Sequence, residues 1–175
     1  MKTQMGVEIG IVANNNDPTG EGRLQLHFPT ISPTVLSSWA PVATFLAGPD
    51  RGAWFMPEVG DQVLVAFHRG NFDHPYVVGF LWDGGSRPPE TDTKNRVILT
   101  PGNHTLRFED GDDKKIIIRS SSGHEITLDD SPSAQSITIK TAGSQQIVME
   151  DVTQSIKLQG GGRSIEMRAG LVQIT

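Results

Sequence analysis

From Val97 onward the chain repeats one figure, two apolar residues flanking a third position. It starts at Val97, Leu106, Ile116, Ile126, Ile137, Ile147, Ile156, Ile165 and Val172, at intervals of 9, 10, 10, 11, 10, 9, 9 and 7 residues. Between the copies lie TPGNH, EDGDDKK, SSSGH, DDSPSAQ, TAGSQ, EDVTQ, QGGGR and RAG, all rich in turn formers. Apolar residues two apart predict short strands, and a 3.6-residue helical period does not survive so many interruptions by Gly, Asp and Ser. Regular spacing with turn signals predicts an all-β array, a sandwich or a solenoid.

The first half has a different pattern. VEIGIVA, GRLQLHF, WAPVATFL, QVLVAF and PYVVGFLW are alternating or continuous apolar runs bounded by turn residues. Five short strands without an amphipathic helix of convincing length predict a small β-barrel or sandwich. Ten of the eleven aromatics lie between Phe28 and Trp82, so this half has large side chains to fill a globular core. DGGSRPPETDTKN, residues 83–95, is rich in Gly, Pro and charge and is expected to link the halves.

The second half lacks that bulk. Each strand brings about two modest inward side chains, too few for a lone copy, and its strand edges would be open. Association cures both faults. The expectation is an intertwined, obligately oligomeric β-helix. Three chains wind together, each strand pairing with neighbours from the other two, with Thr127, Lys157 and Glu166 in water.

Composition narrows the function classes. Net charge is −5 at pH 7, against a general phosphate-backbone binder with clustered Lys and Arg. Cysteine is absent, which removes disulfides, thiolate zinc sites and cysteine nucleophiles. No apolar run approaches the roughly 20 residues of a membrane helix. The N-terminal MKTQMGVEIG has no signal-peptide apolar region, so synthesis in the cytoplasm is expected.

Candidate chemistry is sparse. His27, His68, His74, His104 and His124 show no His-x-His or His-x-x-x-His spacing, and they read as exposed or core-edge imidazoles rather than metal ligands. The carboxylates of EDGDD (109–113), Asp129-Asp130 and Glu150-Asp151 read as solvated turns, with weak calcium binding as the alternative. A hydrolase would need a carboxylate pair in a cleft. QGGGR lacks the strand-to-helix context of a phosphate cradle. A single-strand nucleic-acid binder needs exposed aromatics beside a basic groove, and here the aromatics alternate with aliphatics as core. No catalytic, cofactor-binding or metal-binding residue is assigned.

Three stretches carry a resemblance: GIVANNNDPTGEGRLQLHFP (10–29), SSWAPVATFLAG (37–48) and FMPEVGDQVLVAFHRGNFDHPYVVGFLWDG (55–84). Together with the repeat, they resemble the central spike proteins of contractile injection systems. That family includes phage baseplate assembly protein V, the valine–glycine repeat spikes of type VI secretion and the spikes of extracellular injection particles. The resemblance implies an oligosaccharide/oligonucleotide-binding (OB) fold at 1–82, a linker at 83–95 and a triple-stranded β-helix spike at 96–175. It implies a non-enzymatic homotrimer that joins a hub or baseplate to the tip and pierces a target envelope, within a virion, secretion apparatus or extracellular particle. Some relatives close the tip with a His-x-His iron site; this chain has no histidine beyond His124, so that site is not carried over. Spikes without it usually accept a conical cap of the proline-alanine-alanine-arginine repeat (PAAR) class. Leu171, Val172, Gln173, Ile174 and Thr175 are the residues expected to bind it. The other readings are a carbohydrate- or receptor-binding module of a tail tip and a nucleic-acid-binding OB protein.

Overall fold

In the computed structural model, which describes residues 6–175, strand alternation builds a core in one place and leaves it open in another. The chain divides between Arg87 and Pro88 into two units. Residues 1–5 of the expected OB segment lie outside the described residues.

The first unit contains β1 (Val7–Asn14), β2 (Arg23–Phe28), β3 (Ser32–Leu36), β4 (Ala40–Pro41), β5 (Ala47–Gly48), β6 (Arg51–Gly52), β7 (Gln62–Phe67) and β8 (Pro75–Leu81). Every second residue of β2 and β7 is buried, as a period-two strand on a core requires. The sheet runs β3-β2-β1-β7-β8, antiparallel throughout. Residues 40–43 close it into a barrel. Ala40 and Pro41 pair with β2, Val42 bridges Val77, and the Ala43 N–H donates to the Val77 carbonyl at 2.7 Å. Val12, Leu24, Leu26, Phe28, Ala40, Val63, Val65, Phe67 and Val77 form the core.

Two expectations for this unit are corrected. WAPVATFL does not form one strand: Pro41 has no N–H for a ladder, and beyond Ala43 the chain leaves the sheet. The aromatics do not chiefly fill the core. Phe28 and Phe67 are buried and Phe72 packs beside them, but Phe45, Trp54 and Trp82 are 84%, 72% and 70% exposed. Beside Phe28 and Phe67, Val and Leu on four short strands supply most of the core.

The loop between β1 and β2 is ordered by one charge pair. Asp17 accepts from Arg23 Nε and Nη2, both at 2.9 Å, and from the backbone N–H groups of Thr19, Glu21 and Arg23. The Arg23 guanidinium, with these amides, holds the Asp17 carboxyl well below the usual carboxylate range.

The second unit is a meander of β9 (Asn95–Leu99), β10 (Thr105–Asp110), β11 (Lys114–Arg119), β12 (Glu125–Asp129), β13 (Ser136–Lys140), β14 (Gln146–Glu150), β15 (Ser155–Gly160), β16 (Arg163–Arg168) and β17 (Leu171–Ile174). Each strand pairs antiparallel with its neighbours in sequence, in one nine-stranded sheet. At strand spacings of about 4.8 Å the ladder is roughly 38 Å long. This register corrects the expectation that every ladder is shared between chains: β10 to β16 satisfy both edges within one chain. What one chain lacks is a cover for a face, not partners for its amides.

Close packing in the barrel gives a test. A Cβ built on Gly10 meets Val65 Cγ2 at 3.2 Å and Leu26 Cδ1 and Val63 Cγ2 at 3.4 Å. Gly10→Val is expected to cost about 1–3 kcal/mol by overpacking, read as a lower denaturant midpoint in the fluorescence of the tryptophans, all three of which lie in this unit. An unchanged midpoint would show that the barrel has room there.

Candidate functional site

Residues directly opposite one another in an antiparallel ladder share a face, so the register sorts the second unit into two surfaces. On one face run two columns. The first is Ile98, Leu106, Ile118, Ile126, Ile139, Ile147, Leu158, Ile165 and Ile174. The second continues Phe108, Ile116, Leu128, Ile137, Met149, Ile156, Met167 and Val172. Eight of the nine sequence figures supply these columns. The first does not: Ile98 opposes Leu106, which turns Val97 and Leu99 to the other face. An apolar triplet alone cannot reveal its phase, and the pairing partner decides it.

Nothing within the unit covers this face. All the buried apolar residues lie in the first unit, and Ile137, in the middle strand, keeps 39% of its surface exposed. A continuous open patch of this kind marks an association surface. Leu158, Ile165 and Ile174 line a shallow concavity on it, with Ile139 and Ile147.

The opposite face is mostly polar, with Val97, Leu99, Ile117 and Val148 among its residues. Thr127, Lys157 and Glu166 lie on it, opposite Thr138, Val148 and Gln173. Register is marked there by charge. Lys115 Nζ lies 3.1 Å from Asp129, and Lys140 Nζ lies 2.8 Å from Glu125, with Arg119 on the other side of Glu125. The Lys140 ammonium lowers the Glu125 carboxyl; the Ser131 hydroxyl, with Lys115, lowers Asp129. These carboxylates are therefore not simply solvated turns. Asp129 and Glu150 end strands and Glu109 lies within β10; Asp129 and Glu109 are ion-paired with a neighbouring basic side chain.

Glu90 fastens the entry to the sheet. Its carboxyl accepts from the N–H groups of Asp92 at 2.9 Å and Thr91 at 2.7 Å, from Asn95 Nδ2 at 3.1 Å, and pairs with Arg107 at 2.6 Å. The backbone donors, Asp92 first, bring it down to about 2 from 4.5. The end of the expected linker is thus tied to β9 and β10, a contact invisible in a Pro- and charge-rich stretch.

The residues expected to bind a tip lie in and beside β17. Ile174 and Val172 extend the apolar columns and are 74% and 67% exposed; Gln173 lies on the polar face opposite Glu166. Thr175 exchanges two backbone hydrogen bonds with Ser164, at 2.7 and 2.9 Å. β17 bonds β16 on one side and nothing on the other among the described residues. The five histidines do not converge. His68 and His74 stand 6.5 Å apart in the first unit, the His27 Nδ1 is buried without a partner among the described residues, and His104 and His124 sit in separate turns of the second. Among the described residues no three His, Asp or Glu side chains group as a metal site. No helix is long and apolar enough to cross a membrane.

On the first unit, Phe45 and Phe55 lie 6.4 Å apart on the loop that carries β5 and β6. Trp54 lies over Gly22, where a Cβ would meet its ring at 2.7 Å. Along β8, Tyr76, Val78 and Phe80 face outward, with Trp82 just beyond. This second apolar surface was missed in the sequence because exposed and buried aromatics share the same strand-like pattern.

Comparison with known proteins matches both units. Residues 8–82 match the type VI secretion system/phage-baseplate injector OB domain, and residues 115–175 match the phage baseplate V C-terminal trimerisation domain. The chain is similar to the type VI secretion system spike protein VgrG3 of Vibrio cholerae, 32% identical over 101 residues, 51% of this chain and 10% of that protein. It is 30% identical over 101 residues, 51% of this chain and 9% of the relative, to a protein named actin cross-linking toxin VgrG1 from another V. cholerae strain. It is 32% identical over 62 residues, 35% of this chain and 7% of the relative, to the spike protein VgrG2a of Pseudomonas aeruginosa. The chain thus spans a tenth or less of the length of these curated relatives.

Two outcomes are expected. Because the folded Glu90 carboxyl titrates near 2 and the unfolded one near 4.5, its stabilisation is complete above pH 4.5 and is lost as pH falls toward 2. Thermal midpoints of the wild type and Glu90→Gln should differ at pH 6 and converge near pH 2; a constant offset would contradict the staple. Ile137→Asp puts a charge in the middle of the apolar face, at a cost of several kcal/mol if that face is buried by association. Sedimentation should then show dissociated chains, and an unchanged mass would mean that the face is free.

Proposed function

The chain belongs to the central-spike family of phage baseplates and type VI secretion systems, and we propose that three copies form a non-enzymatic spike at the tip of a contractile injection apparatus. The observation that carries this reading is the uncovered pair of apolar columns. A sheet that satisfies its own amides but has no core is a component of a larger assembly, and three such sheets around one axis bury their columns against one another. The match of residues 115–175 to a trimerisation domain supports three as the number.

Mechanical use follows from this geometry. Load along the axis is spread over nine strands per chain, each zipped to its neighbours by the full width of a ladder. Several charged residues, Lys115 with Asp129 and Lys140 and Arg119 with Glu125, are engaged in cross-strand pairs, which fits a structural part. In this reading the exposed aromatics of the barrel, Phe45, Trp54, Phe55 and Trp82, take the contact with the hub or baseplate, because a rigid aromatic patch is the usual anchor of a protein interface. In the second unit, β17 with the apolar Val172 and Ile174 receives a conical PAAR-type cap. In this reading the chain joins the baseplate and is driven into the target envelope.

Deleting Leu171 to Thr175 is expected to abolish co-purification of a cap protein while the remaining chains stay associated through β9 to β16. Retained cap binding would remove these five residues from the tip contact. Separately, Trp54→Ser should weaken hub capture at least tenfold with little change in barrel stability, since Trp54 is mostly exposed; undiminished capture would place the hub contact elsewhere.

A further inference from the structure

The hairpin turns of the second unit alternate between two margins of the sheet, and the chemistry of the margins differs. On one lie residues 100–104, 120–124, 141–145 and 160–163; on the other lie 110–114, 129–136, 150–155 and 168–171.

The first margin repeats one turn three times. The N–H of Thr100, Ser120 and Thr141 donates to the carbonyl four residues on, at 3.0, 2.9 and 2.9 Å. Their hydroxyl oxygens accept the N–H of His104, His124 and Gln145 at 3.1, 3.0 and 3.2 Å. The residue before each is left-handed: Asn103, Gly123 and Ser144 have φ of 61°, 93° and 67°. Successive turns are tied together, since His104 Nδ1 accepts the Ser121 N–H and His124 Nδ1 accepts the Ala142 N–H, both at 3.3 Å. A neutral ring that accepts at Nδ1 carries its proton on Nε2. Each imidazole therefore presents an outward donor with no partner among the described residues. Arg163 on this margin also has no ion pair among the described residues. The carboxylate beside this margin, Glu125, is already engaged by Lys140 and Arg119.

The second margin is acidic. Asp110, Asp112, Asp113, Asp130, Glu150 and Asp151 all fall on it and are exposed. Asp112, Asp130 and Asp151 carry no ion pair among the described residues. Lys114 and Arg168 share the margin without balancing it.

A threefold ring closes through head-to-tail contacts, so each copy turns one margin to one neighbour and the other margin to the next. Hydroxyls, imidazole N–H groups and Arg163 then meet carboxylates at every seam. The turns on the two margins are offset by one strand spacing, about 4.8 Å, so the acidic turns of one chain fall between the donor turns of the next. We propose that the acidic margin of each chain docks on the Ser/Thr/His margin of a second copy, in three polar seams that flank the apolar interior. The pairing of unlike margins fixes the sense in which neighbouring chains meet; the number three rests on the match of residues 115–175 to a trimerisation domain. The proposal rests on the homotrimer reading given above.

The absence of cysteine makes a cross-linking test clean. Full-length chains carrying Ser122→Cys with Asp112→Cys, and Ser122→Cys with Asp130→Cys, would be oxidised, and in parallel joined with a flexible bis-maleimide. At least one double variant is expected to run as a covalent trimer in denaturing, non-reducing gels, while each single variant runs as one chain. Covalent dimers from a single variant, or unlinked chains from both double variants that light scattering shows to be trimeric, would overturn the seam. Light scattering of the unaltered protein at a mass other than three times 19.0 kDa would instead overturn the homotrimer reading, and the seam with it.

Discussion

The uncovered apolar face of the second unit is the constraint from which the rest of the molecule follows. Strand pairing leaves nothing to gain there: every inner strand has both edges bonded within its own chain. The unsatisfied quantity is area. Ile, Leu and Met side chains in two columns stay partly in water because no helix or second sheet of the same unit crosses them. Hydrophobic burial is non-directional and scales with area removed from water, so the cover can be a copy of the same surface. A repeat of nine thin strands is stable as a component, and its thinness suits a slender rod in which each chain supplies one wall.

The polar face does a different task. Register in a flat repetitive sheet is prone to slip, since neighbouring copies of an Ile-x-Ile figure are interchangeable. Lys115 with Asp129 and Lys140 with Glu125 mark individual strands, and Glu90 with Arg107 marks the start. These pairs lie at or near the surface, where their contribution to stability is small. Their worth is in disfavouring wrong alignments. The barrel solves its own problem locally, with a Val and Leu core, Gly10 where strands crowd, and the Asp17–Arg23 clamp holding the first loop. The two halves therefore differ in kind: one carries its core, the other shares one.

Much of this was legible in the residues, and the misses have physical causes. Nine strands, their turns and the lack of bulk in the second half could be read from spacing, because a period of two with Gly and Asp punctuation admits little else. The phase of Val97-Ile98-Leu99 could not be read, because three consecutive apolar residues fit either face and Leu106 decides. The interchain ladders expected from open edges were wrong for the inner strands: tight turns of a few residues bring sequence neighbours together before any partner chain can. The aromatic surface of the barrel was hidden because propensity reports a strand-like residue without reporting which side it faces. Residues 171–175 could be read as a ninth figure of the repeat, but what they bind is a property of another molecule.

Hydrogen exchange followed by mass spectrometry, at chain concentrations spanning several decades, tests the shared core most directly. If the apolar columns are covered by other copies, folding of β9 to β17 is linked to association, and their amides should become more protected as concentration rises. Protection of those strands that is strong and independent of concentration down to a dilute single chain would contradict the account.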